Sequence, residues 1–103
     1  MDFSAALASL KMGWAVSREG WNGKGMFIYL VPANAYPAQT GAAKAYFGEG
    51  AMVPYGGYIA MKTAQGNVVP WLASQTDILA DDWQDLQIMG PGEIHAIATR
   101  EGR

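Results

Sequence analysis

The amino-acid sequence predicts a small α+β domain: an antiparallel β-sheet with an N-terminal helix and a short helix near residues 75–82, assembling into a symmetric homo-oligomer. Three observations lead there. The chain has 103 residues, enough to enclose one hydrophobic core and too few for two. Its β-favouring runs are short and joined by glycine- and asparagine-containing turns, the chemistry of hairpins. Charged residues make up only 16% of the chain, against 50% hydrophobic and 12% aromatic. That polar surface is thin for a lone domain, so another subunit is expected to cover part of the apolar surface.

Residues 2–12 place Phe3, Ala6, Leu7 and Leu10 at helical spacing, with Asp2 at the start and Gly13 just past the end. This predicts a short amphipathic helix whose apolar stripe needs a sheet or a partner helix over it. Residues 14–18 alternate as a strand does, and residues 26–31 form the continuous apolar run of a buried one. Between them, residues 19–25 hold three glycines and an Asn-Gly pair, so 14–31 is expected to be a hairpin. From 32 to 54 the composition turns to Ala, Gly, Pro, Tyr and Asn without a sustained period, which predicts a long loop with at most a short helix around 41–47. Residues 58–63 resume strand patterning, Ala64-Gln65-Gly66-Asn67 turns into Val68-Val69, and Pro70 ends this second hairpin at an edge. Ser74 and Asp77 have the spacing of a capping box and open a helix reaching about Asp82. Residues 83–88 read as a final strand. The whole chain, 1–103, reads as one domain, with 90–103 as a partly mobile tail.

Composition excludes several classes of chemistry. The absence of cysteine removes disulfides, thiolate metal sites and cysteine nucleophiles, and His95 as the sole histidine removes a histidine-rich metal site or a two-histidine acid/base pair. No metal site and no cofactor are expected. A net charge of −2 lacks the basic excess that duplex nucleic acid or an anionic membrane selects. The N-terminus does not resemble an export signal, and the longest apolar run, 26–32, is far short of the ~20 residues that span a bilayer, so a soluble cytosolic protein is expected. A P-loop, a G-x-S-x-G elbow, H-E-x-x-H and G-x-G-x-x-G are all missing, which favours a binding protein over a catalyst.

Two constellations carry recognition chemistry. In Trp21-Asn22-Gly23-Lys24-Gly25 an indole for base stacking, an amide for a base edge, and a cation with glycine N–H groups for phosphate share one turn. The same residues also suit an ordinary Asn-Gly hairpin whose tryptophan folds back on the core. In Trp71-Leu72-Ala73-Ser74-Gln75-Thr76-Asp77 an aromatic precedes a helix start, where the Thr76 hydroxyl and the Asp77 carboxylate could take ribose hydroxyls. Here the alternative is a capped helix with Trp71 anchored in the core. The acids Asp77, Asp81, Asp82 and Asp85 recur at helical spacing and read as a solvated acidic face.

Residues 18–27 (REGWNGKGMF) and the run 61–83, including VPWLASQTDILADDW, together with Met1-Asp2-Phe3 and Ala5-Ala6-Leu7, resemble a family of small phage and prophage proteins, the second type of Thoeris anti-defence protein. The resemblance covers roughly 1–31 and 55–86, and fails in 33–54 and after Gly90. It implies a non-catalytic sponge: a homotetramer with pockets between subunits, binding the cyclic ADP-ribose-type signal of a host Thoeris enzyme in the infected bacterium's cytoplasm. Carried over position by position, Trp21, Asn22 and Lys24 lie in the first shared motif and Trp71, Thr76 and Asp77 in the second, which makes these six the expected ligand-binding residues. Alternatives are a sponge for cyclic di- or trinucleotides, a hydrolase of the signal, and a module that binds Thoeris proteins directly.

Overall fold

The computed structural model describes residues 1–21 and 25–97. Helix α1 (Phe3–Lys11) starts where its cap requires: the Asp2 side chain accepts a hydrogen bond from the Ala5 N–H, so one orphan donor of the first turn is satisfied. Past its end Gly13 takes φ +90°, a left-handed turn that glycine makes without strain. The strands are β1 (Ala15–Arg18), β2 (Phe27–Val31), β3 (Asn34–Pro37), β4 (Met52–Tyr55), β5 (Tyr58–Lys62), β6 (Val68–Pro70), β7 (Trp83–Gly90) and β8 (Glu93–Ile97). Six of them form one antiparallel sheet in the order β6-β5-β2-β1-β7-β8.

The register explains which side chains meet the helix. Val16 faces Ile28 and Ile28 faces Met61, so one face of three neighbouring strands presents a continuous apolar row. Ala6 and Leu10 of α1 close over Val16, Ile28 and Trp83 to make the core, with Ile59 and Met61 packed at its margin. Alternation sends Ala15, Phe27, Tyr29, Tyr58, Val68, Leu86 and Ile88 to the other face. That face carries no helix layer among the described residues: α1 packs on β1, β2 and β7, the short helix α3 (Gln75–Leu79) packs beside α1, and α2 (Gly41–Phe47) packs on β4.

Both expected hairpins form, and the second closes through Thr63 N–H to Asn67 O and Gly66 N–H to Thr63 O. Three expectations need correction. Residues 32–54 are not a loop with a helix: β3 and β4 pair from Asn34–Tyr55 to Pro37–Met52 as a separate two-stranded sheet, with α2 between them at the place expected. Helix α3 stops at Leu79 instead of reaching Asp82, because Ala80 is extended (φ −73°, ψ 150°) and Asp82 is drawn to β1. Residues 93–97, expected in a weakly patterned tail, form β8, which pairs with β7 around a bulge between Ile88 and Gly90. Residues 98–103 lie outside the described residues.

Candidate functional site

The two sequence motifs meet where β1 ends. Arg18, at that end, donates from Nε to Asp82 Oδ1 (2.8 Å) and from Nη1 to Asp77 Oδ1 (2.9 Å), so one guanidinium holds the turn after β1 against both ends of the 77–82 segment. Asp82 binds the same turn again: its Oδ2 accepts from the Gly20 N–H (2.9 Å) and its carbonyl from the Glu19 N–H (3.0 Å). A Cβ on Gly20 would stand 3.0 Å from Asp82 Oδ2, so a larger residue there would press on this carboxylate.

The aromatic residues converge on the same point. Trp83 is 2% exposed and donates its indole N–H to the Asp77 carbonyl at 2.8 Å. Trp21 and Trp71 each meet it edge to face, at 5.5 Å and 6.0 Å between ring centres, and Phe3 fills the remaining space at 5.4 Å from Trp83. Both outer tryptophans stay partly exposed while packing on the core.

Charge at this junction is balanced by pairing. Burial pushes the Asp77 carboxyl upward, but hydrogen bonds from Arg18 and Ser74 outweigh it and hold the group below the ordinary carboxylate range. Asp82 is held low chiefly by Arg18, against burial and with help from the Gly20 N–H. Arg18 is raised, first by its bond to Asp82 and then by that to Asp77.

A cavity of about 340 Å³ opens beside this junction, with Trp21, Arg18, Gly25 and Met26 on one side and Leu86, Ile94 and Ala96 on the other. Lys62 Nζ donates to the Gly25 carbonyl at 3.1 Å, and Lys62 itself lines a separate concavity with Phe27, Tyr29, Val68 and Ile88. A larger cavity, about 530 Å³, lies among Tyr36, Tyr55 and Tyr58, with no charged side chain in its lining. The first is lined by Glu19 and by Arg18, whose guanidinium is already paired with Asp77 and Asp82.

Of the residues singled out from the sequence, Trp21 lines the cavity. Trp71 packs on Phe3 and Trp83 and does not line it, and Thr76 is exposed on α3. Asp77 has both oxygens engaged, Oδ1 by Arg18 and Oδ2 by the Ser74 N–H at 3.1 Å. Asn22 and Lys24 lie outside the described residues. The expected acidic helix face does not form: only Asp77 lies in α3, Asp82 turns to Arg18, and Asp85 is buried in β7 opposite Val16. Among the described residues no three acids or histidines gather to hold a metal ion, and no helix is long and apolar enough to cross a membrane. Sequence reasoning missed Arg18, Asp82 and Trp83 as the anchor of the site. The available signal was that Arg18 is the sole arginine before residue 100, at the end of a strand in a chain poor in charge.

Residues 1–86 match the model of the Thoeris anti-defense 2-like domain. Thoeris anti-defense 2 of Bacillus phage SP01 is 44% identical over 84 residues, which cover 81% of this chain and 91% of that protein. The matched region holds the Arg18 junction and the tryptophan cluster and ends inside β7, leaving β8 beyond it. The chain belongs to the Thoeris anti-defense 2-like family.

Proposed function

We propose that this protein acts against Thoeris defence by sequestering its cyclic ADP-ribose-type signal, without breaking any bond in it. The observation that carries this reading is the 44% identity, over 84 residues, to a protein named for Thoeris anti-defence. The cavity supports it chemically. Trp21 offers part of an indole for a base to stack on, and Gly25, whose carbonyl accepts from Lys62 Nζ, lines the cavity beside it. Arg18 is not the phosphate ligand in this reading: two carboxylates already neutralise it, and the trio is net negative. Positive charge for a pyrophosphate comes from Lys24.

Direct contact therefore falls to Trp21, Asn22 and Lys24. Asp77 acts through Arg18 as a positioning residue and Trp71 supports Trp83, while the Thr76 hydroxyl, exposed on α3 outside the cavity of this chain, would meet the ligand only where a second subunit completes the site. The cavity in one chain is at the low end of the ~300–1,000 Å³ of small-ligand sites, which fits completion by a second subunit of a homotetramer. The site of action is the cytoplasm of the infected host, where the signal is made.

The test is to incubate the purified protein with the nucleotide product of an activated Thoeris enzyme, filter, heat the protein fraction and identify what is released by mass spectrometry. Intact nucleotide is the expected result. New products in its place would make the protein a hydrolase, and nucleotide left in the filtrate would overturn the reading. Competition with cyclic di- and trinucleotides separates the neighbouring ligand class. Trp21→Ala should weaken binding by about 1–3 kcal/mol if the indole stacks on a base. Normal binding by that folded variant would move the site elsewhere.

A further inference from the structure

We propose that β8, which lies outside the matched family domain, sets the selectivity of the cavity, with Ile94 and Ala96 as its specificity-determining residues. The inference rests on the reading of that cavity as the ligand site. The ladder between β7 and β8 places Ala96 opposite Leu86 and Ile94 opposite Ile88, so these side chains share one sheet face, while Glu93, His95 and Ile97 alternate to the other. Ile94 and Ala96 accordingly line the same cavity as Trp21 and Arg18. The family match ends at Leu86, so Trp21, Arg18 and Leu86 of the lining belong to the matched domain, and Ile94 and Ala96 to the strand that follows it.

The two parts of the lining differ in chemistry. The matched domain contributes the Trp21 indole, Gly25, Glu19 and the paired Arg18, whereas β8 contributes a branched sec-butyl group and a single methyl group, without charge or hydrogen-bonding side chains. A ligand held between them turns an uncharged planar group, a nucleobase, along β8. The space left by the methyl of Ala96 decides how bulky that group can be. An apolar wall discriminates by shape, and a side chain that fills the space excludes the ligand outright.

Ala96→Phe, Ala96→Val and Ile94→Ala test this with two probes, cyclic ADP-ribose and the purified product of an activated Thoeris enzyme, titrated against the full chain while thermal melting reports folding. A phenylalanine suits a strand, so Ala96→Phe is expected to melt within a few degrees of the parent. It should bind the accepted probe at least tenfold more weakly, with Ala96→Val intermediate and Ile94→Ala shifting the ratio of the two affinities by several-fold. Parent-like affinity within twofold for folded Ala96→Phe, while the parent itself binds, would overturn the role of β8 and leave the sequestration reading intact. Should Ala96→Phe unfold, Ala96→Val and Ile94→Ala decide in the same way: unchanged affinities and an unchanged ratio would overturn the proposal. Failure of the parent to bind either probe would instead overturn the sequestration reading, and this inference with it.

Discussion

Arg18 joins segments separated by 59 and 64 residues, and its two carboxylate partners make the junction sensitive to acid. Both Asp77 and Asp82 are held below the roughly 3.9 of an unperturbed aspartate, so the folded state binds fewer protons than the unfolded state as pH falls toward that value. Their contribution is complete above about pH 5 and is lost as pH drops through the folded pKa values. Urea titrations at pH 7 and near pH 4 should therefore show the parent losing stability on acidification, with a smaller loss for an Asp77→Asn, Asp82→Asn double variant. At pH 7 Asp82→Asn alone should cost about 1–2 kcal/mol, between an exposed ion pair and a buried charged hydrogen bond. Equal acid sensitivity in parent and double variant would show that other groups control the acid limb.

Element by element, what the sequence discloses follows how local each determinant is. Helix α1, both hairpins and the start of α3 depend on caps, turns and spacings within a few residues, and all stand where expected. Strands β3 and β4 contain Pro37 and Pro54 and exist through pairing with each other across α2, a relation that no local pattern announces. The same is true of β8, whose pattern is weak until β7 is beside it. Asp81, Asp82 and Asp85 look helical by spacing, but the pull of Arg18 on Asp82 ends the helix first, a tertiary override of periodicity. The sequence places Trp21 on a turn, whereas its half-buried position against Trp83 depends on a long-range contact. Helix α3 gives a direct test of local determination. The Ser74 hydroxyl accepts from the Asp77 N–H at 3.0 Å while the Asp77 carboxylate accepts from the Ser74 N–H, a reciprocal cap on a helix of five residues. Ser74→Ala should cost about 1 kcal/mol, which lowers the melting temperature by roughly 4–8 °C in a domain of this size, and Ser74→Gly should cost less. A melting temperature unchanged by Ser74→Ala would mean that the tertiary bonds of Arg18 and Trp83 to Asp77, and not the local cap, hold α3.

For the whole molecule, a sheet covered on one face only must bury its other apolar face or leave it wet. The uncovered face presents Tyr58, Val68 and Ile88 at 46%, 51% and 52% exposure, the last two around a concavity that also takes in Phe27, Tyr29 and Lys62. The separate β3-α2-β4 sheet adds Tyr46 at 84% and Met52 at 60%. The radius of gyration, 16.2 Å, exceeds the roughly 13 Å of a compact domain of this length, so this is an extended chain with apolar surface to spare. With only 16% charged residues to keep it apart, such a surface favours association between copies, the source of the oligomer anticipated from composition. Val68→Lys combined with Tyr58→Lys places two cations on the uncovered face, on β6 and β5, away from the core side of the sheet and from the cavity that Ile94 and Ala96 line. Sedimentation should find the parent associated and the double variant reduced to smaller species, with melting retained. If subunit contact also completes the ligand cavity, the dissociated variant should bind nucleotide more weakly although Trp21, Arg18 and the glycine turn are untouched. A parent that sediments as a monomer at every concentration would show that the open face stays wet, and that one chain holds whatever ligand it takes by itself.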